Sequence, residues 1–256
     1  MSLTLAHKHF GGSGRPIVIL HGLFGSHKNW AGVAAKLVES DVGAVYGLDL
    51  RNHGESPHGP THTFQDLVED LRAWLKANDI SEPVVVGHSM GGLTAMGYAL
   101  ENPAPTAGLV VVDIAPRAYE PHHSKEFEAL EMDVSGFKSR GALDQAMAAI
   151  IAEPMTRQFL QMNLAREGDG YRWKINVPVL KNSTYINEFQ GTGSWDGPSL
   201  FFAGGRSDYV AEADHARIKE LFPSSRLEFN PDADHWLHYT AADWFVPKLI
   251  DFIKSL

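Results

Sequence analysis

The chain has 256 residues, 44% of them hydrophobic and 21% charged, the make-up of a globular protein sized for one large α/β domain or a core with an insertion. A net charge of −9 and no cysteine exclude the basic field that draws nucleic acid or anionic membranes, along with disulfides, thiolate catalysis and cysteine zinc sites. Met1 to Phe10 lacks an apolar leader core and no run of 18 apolar residues occurs, so the expectation is a cytoplasmic protein that does not span a membrane.

Short β-type runs alternate with helical patterns, which predicts a mostly parallel sheet with helices on both faces. Leu3 to Phe10 reads as a leading edge strand and Pro16 to Leu20 as a buried one. The loop His21-Gly22-Leu23-Phe24-Gly25 follows. Trp30, Val33, Ala34, Leu37 and Val38 recur at helical spacing, and Ala44 to Leu48 is the next strand. Asp49-Leu50-Arg51-Asn52-His53-Gly54-Glu55-Ser56 reads as a structural loop bracing whatever lies above it. Phe64, Leu67, Val68, Leu71, Trp74 and Leu75 form one face of a helix that Thr63 would cap. Pro83 to Val86 is a strand, then comes Gly87-His88-Ser89-Met90-Gly91, then a helix-forming stretch from Leu93 to Leu100. Leu109 to Val112 is a strand ending at Asp113.

From Pro116 to about Pro198 the alternation stops and helices dominate, with Ala142 to Ala152 and Met155 to Ala165 the clearest and no strand expected. Residues 116–197 are therefore expected to form a helical cap inserted into a core of residues 1–115 and 198–256. Phe127, Met132, Phe137, Met147, Ile151, Phe159, Met162 and Trp173 could line a pocket, but most are expected to pack the cap's own core. The last strands are Ser199 to Ala203 and Arg226 to Phe229, and Ala241 to Leu256 closes the chain as a helix.

A serine flanked by glycines two residues before and after, set between a buried strand and a helix, is the pattern of a nucleophile elbow. Such a turn lifts Ser89 Oγ above the sheet end and aims the Met90 N–H beside it. A serine needs a base to take its proton, and the base needs a carboxylate to orient it. His235, in the loop after the last strand, is the expected base, with His238 as the fallback. Two carboxylates follow strand ends where sites of open α/β sheets lie, Asp113 and Asp208. Either could orient His235, and the residues alone leave both open. The glycine-bearing loop after the Pro16–Leu20 strand is expected to give the second oxyanion donor, the Leu23 N–H, with Phe24 next in line. His21 is expected to be a structural hydrogen-bonder. The pair His122-His123 reads as surface histidines at the cap hinge, since no third ligand stands at metal spacing.

Taken together, His21–Gly25, Asp49–Gly54, Gly87-His88-Ser89-Met90-Gly91-Gly92, Val112-Asp113-Ile114-Ala115-Pro116 and His235-Trp236 resemble the α/β-hydrolase fold family, nearly end to end. Within it the Asp-Ile-Ala-Pro run and the Gly-Gly-Arg-Ser-Asp-Tyr-Val run resemble small capped bacterial esterases and a related animal branch. The resemblance implies a mostly parallel eight-stranded sheet with a helical cap. It implies hydrolysis of short- to medium-chain carboxylic esters, extending to acyl thioesters such as acyl-CoA, through a Ser-His-Asp triad with no metal or other cofactor. It leans toward Asp113 as the acid and keeps Asp208 open. The expected partner is a small ester, and the expected state is monomer or homodimer. Ser89 argues against the dehalogenases and epoxide hydrolases of this fold, which need an aspartate nucleophile. A cofactor-free haloperoxidase, a C–C bond hydrolase or a ligand receptor on the same scaffold are the rival readings.

Overall fold

The computed structural model describes residues 2–101 and 106–256. Strands β1 (His7–Gly11), β2 (Pro16–Leu20), β3 (Ala44–Leu48), β4 (Val84–His88) and β5 (Gly108–Val112) alternate with helices α1 (Ala31–Glu39), α2 (Phe64–Ala77) and α3 (Met90–Glu101). The next stretch holds helices α4 (Ser124–Leu130), α5 (Arg140–Met147) and α6 (Pro154–Gln161), strands β6 (Leu164–Glu167) and β7 (Gly170–Trp173), and helices α7 (Val177–Lys181) and α8 (Tyr185–Glu188). Strand β8 (Ser199–Gly204), helix α9 (His215–Leu221), strand β9 (Ser225–Asn230) and helices α10 (Leu237–Thr240) and α11 (Ala242–Lys254) complete it.

The main sheet runs β1-β3-β2-β4-β5-β8-β9, with β1 antiparallel and every other pair parallel. Alternation along β2 splits the core. Ile17 and Ile19 pack with Trp30, Leu37, Phe245 and Leu249 on one face. Val18 and Leu20 pack with Leu67, Leu71 and Met96 on the other. Both faces are covered, so β2, β5 and the first three residues of β4 read as apolar runs. Helix α2 begins as expected, with Thr63 accepting from the Asp66 N–H.

Two expectations need correction. The main sheet has seven strands among the described residues, not eight. The segment before β1 finds side-chain partners instead of a strand. The Leu3 N–H donates to Asp70 Oδ1 and the Ala6 N–H to Ser56 Oγ, which leaves those donors satisfied without a ladder. Second, β6 and β7 form a hairpin where no strand was expected. Met155 to Ala165 is helical only to Gln161, and Leu164 and Ala165 enter β6. The closing helix expected over Ala241 to Leu256 is α11, with the short helix α10 just before it.

Between β5 and β8, Leu130, Leu143, Met147, Leu160, Leu164, Ile175 and Leu180 share an apolar cluster of their own with Phe24 from the loop after β2. Asn163 Nδ2 donates to the Phe24 carbonyl at 2.7 Å, and the Asn176 N–H donates to the Asn52 carbonyl at 3.0 Å. These bonds hold the segment against the strand ends.

Candidate active site

Strand β4 delivers Ser89 to the centre of the sheet, and the chain turns there directly into α3. Ser89 has φ +51, a left-handed conformation that costs a non-glycine residue on the order of 1–3 kcal/mol and persists only where the surroundings impose it. The Ser89 N–H donates to the Val112 carbonyl and the Ser89 carbonyl accepts from the Leu93 N–H, both at 3.0 Å. The glycines are required by close approach. A Cβ at Gly87 would stand 2.2 Å from the Gly91 carbonyl oxygen, and one at Gly91 would stand 2.5 Å from that of Leu20.

Asp113 follows β5 with φ +53 and is fully buried. Its Oδ1 accepts from the Gly204 N–H at 2.9 Å. Its Oδ2 accepts from the Ser207 hydroxyl and from His235 Nδ1, the latter at 2.7 Å. A carboxylate only accepts, so Nδ1 carries the proton and the neutral ring keeps its lone pair on Nε2. That is the tautomer a general base needs. The structure thus brings His235 to Asp113. Asp208 is exposed, and its main-chain carbonyl accepts from Arg117 Nη2 at 3.4 Å. The turn after β8 points Ser207, not Asp208, at the histidine's carboxylate.

His88 ties the elbow to the histidine loop, since its Nε2 donates to the His235 carbonyl at 2.9 Å. His238, the fallback base, is buried and stacked on Trp30, with ring centroids 4.4 Å apart and planes 10° apart. Among the described residues its Nδ1 has no hydrogen-bond partner. Burial, reinforced by His235, lowers its pKa to about 3. Burial also holds His88 well below its ordinary value, with His238 and His235 adding to the effect.

The loop after β2 lies over the elbow, where a Cβ on Gly22 would meet Ser89 Cβ at 3.3 Å. The Phe24 N–H is committed to His53 Nε2 at 3.1 Å. The Leu23 N–H enters no hydrogen bond among the described residues. The Met90 N–H opens α3, where first-turn donors have no intrahelical acceptor. Phe24 as the next candidate donor is therefore set aside on hydrogen bonding alone. The bracing comes from below. His21 Nδ1 donates to the Gly22 carbonyl and its Nε2 accepts from the Leu50 N–H at 2.9 Å. Arg51 is buried in ion pairs with Asp66 and Asp70. Burial alone would raise the Asp49 pKa, but hydrogen bonds from His27 and Glu55 hold it at about 2. The Asp49–Ser56 loop is structural, as expected.

A groove of about 830 Å³ opens beside the elbow. Gly22, Leu23 and His88 are among its lining residues, with Met155, Phe159, Met162, Trp236 and Val246. Of the residues singled out between Pro116 and Pro198, Phe159 and Met162 line it, while Met147 and Ile151 lie in that segment's apolar cluster. His122 is exposed and its Nε2 is hydrogen-bonded to the Tyr209 hydroxyl. Ser207 and Tyr209 are functional candidates that the sequence reading missed. The signal for Ser207 was its place in the loop just past a sheet strand.

The buried histidines predict how stability depends on pH. His62 and His238 both have pKa values lowered by burial to about 3 from an ordinary 6.5. They stay neutral in the folded protein and take up protons below about 6.5 once unfolded. Their contribution is full above that pH and is lost as pH falls toward 3, each by up to about 1.4 kcal/mol per pH unit. Urea unfolding at pH 7.5 and pH 5.0 is expected to give a clearly lower midpoint at pH 5.0. An unchanged midpoint would contradict the assignment.

Comparison with known proteins identifies the family. A family profile described as alpha/beta hydrolase fold matches residues 15–242. The chain is 35% identical over 266 residues to a zebrafish (Danio rerio) protein named sn-1-specific diacylglycerol lipase ABHD11, covering 98% of this chain and 83% of that one. It is 35% identical over 230 residues to Esterase YbfF of Escherichia coli, covering 89% of each. A solved structure titled marine microorganism esterase superposes with a TM-score of 0.91 at 36% identity, covering 98% of this chain and all of that one. An elbow serine, a carboxylate-bound histidine past the last strand and these relatives lead to one conclusion: the chain belongs to the α/β hydrolase fold family.

Proposed function

We propose that the protein is a serine carboxylesterase that cleaves short- to medium-chain carboxylic esters, with reach to acyl thioesters, through an acyl-enzyme on Ser89. The observation that carries this reading is the 2.7 Å contact between His235 Nδ1 and the buried Asp113 carboxylate, which ends the strand beside the elbow strand. Ser89 Oγ attacks the ester carbonyl while His235 Nε2 takes its proton. The carbonyl oxygen becomes an oxyanion held by the Leu23 and Met90 N–H groups, where losing one donor typically costs about 10²- to 10³-fold in rate. Collapse breaks the bond to the alcohol, which leaves with the proton from His235. Water then gives a proton to His235 and attacks the acyl group, and Ser89 is regenerated as the acid departs. Asp113 stabilises the imidazolium in both halves. Every group these steps use is supplied by the chain, so the reading calls on no metal or cofactor.

In this reading residues 116–197 act as a cap, and the groove between α6 and the C-terminal helices receives the acyl chain. The zebrafish relative is named a diacylglycerol lipase, so long acylglycerols belong in the substrate series beside short esters. We place the enzyme in the cytoplasm, as monomer or homodimer acting on small esters. Among the described residues no helix is long and apolar enough to cross a membrane. Treatment with a fluorophosphonate is expected to modify one residue, Ser89, mapped by peptide mass spectrometry. Modification elsewhere, or none, would overturn the reading.

A further inference from the structure

One aromatic ring lies flat against the proposed base. The Tyr209 and His235 ring centroids are 4.0 Å apart with planes only 20° apart. The ring of His88 is also close to His235, 4.6 Å away and tilted by 44°. Tyr209 is itself fixed at three points. Its hydroxyl is hydrogen-bonded to His122 Nε2. Its carbonyl accepts from the Tyr119 hydroxyl at 2.6 Å. Its N–H donates to Ser207 Oγ at 3.3 Å, the same hydroxyl that donates to Asp113. The Tyr119 oxygen in turn accepts from the Ala115 N–H at 2.7 Å, two residues past Asp113.

The face of an aromatic ring carries negative charge density, so a flat contact favours a cation over a neutral ring. His235 becomes a cation only as Ser89 gives up its proton. A ring held in this plane therefore acts where the barrier is crossed more than in the resting enzyme. We propose that Tyr209 is a positioning residue for the esterase reaction, acting through His235. Its ring fixes the plane of the imidazole and stabilises the imidazolium, while its hydroxyl is a tether to the hinge segment at His122. The inference rests on His235 being the base. It assigns ring and hydroxyl separate consequences, and that separation is what a merely structural tyrosine would not show.

The test compares wild type, Tyr209→Phe and Tyr209→Leu on p-nitrophenyl butyrate, with His235→Ala in the same assay. Tyr209→Leu is expected to lower kcat about tenfold, between the sizes of an exposed and a desolvated cation–π contact, with KM within about twofold of wild type. Tyr209→Phe keeps the ring and is expected to stay within about threefold of wild type. Full kcat in Tyr209→Leu, a loss confined to KM, or a Tyr209→Phe as slow as Tyr209→Leu would each overturn the inference. A second measurement needs no folded leucine variant. In the NMR spectrum of the wild type, the His235 ring protons, assigned by their absence in His235→Ala, are expected to be shifted upfield by the stacked ring. Tyr209→Phe should preserve that shift, and unshifted protons in the wild type would overturn the inference. A wild type with no hydrolysis, or a fully active His235→Ala, would instead remove the reading on which the inference stands.

Discussion

Asp113→Asn is expected to lower kcat by about 10⁴-fold, whereas Asp208→Asn stays within about twofold of wild type. The first value is the cost when a triad histidine loses the carboxylate that fixes its tautomer. An asparagine at position 113 that turned its amide toward Nδ1 would oppose donor to donor, or force the ring proton onto Nε2. Either arrangement removes the lone pair that must face Ser89. Asp113 is fully buried with two further donors on its oxygens, Gly204 N–H and Ser207 Oγ, so no solvent replaces the lost charge. Asp208 sits exposed in the turn after β8. Steady-state kinetics on p-nitrophenyl butyrate separates the two variants. Similar losses in both would mean that the contact with His235 does not define the acid.

His235→Ala is expected to lose activity on the same scale, at least about 10⁴-fold, because nucleophile and base act as one unit. His238→Phe is expected to keep kcat within about tenfold of wild type. His238 is three residues from His235, yet its environment removes it from acid–base work. Its ring lies on Trp30 and burial lowers its pKa to about 3. A phenylalanine keeps the stack and removes a buried nitrogen that has no partner among the described residues, a group that costs stability when left unsatisfied. Substantial hydrolysis by His235→Ala that vanished on adding His238→Phe would shift the base to His238.

The parts of the fold legible in sequence were those whose physics is local. Strands β2, β4 and β5 are buried on both faces and show as runs of Val, Ile and Leu. The elbow shows because its glycines answer to backbone approaches of 2.2 and 2.5 Å. Hairpin β6–β7 was missed because Leu-Ala-Arg-Glu and Gly-Tyr-Arg-Trp are four residues each, with charges outward, too short for alternation to register. The choice of acid was not legible for a different reason. Asp113 and Asp208 follow neighbouring strands, and only the left-handed turn at Asp113, with φ +53, brings it under the histidine. Phe24 is the reserve oxyanion donor in the sequence because it follows Leu23 in the loop, and the bond that commits its N–H, to His53, spans 29 residues and leaves no local mark. Tyr209 escaped notice for the same reason, since its contact with His235 runs through space between two loops.

The central claim is that Ser89 is the nucleophile of an esterase. Its most direct test is release of p-nitrophenol from p-nitrophenyl butyrate by wild type and Ser89→Ala, followed side by side over many turnovers. The account predicts steady release by the wild type and, in the folded variant, less than a few per cent of that rate. No release by the wild type, or equal release by both, would contradict it.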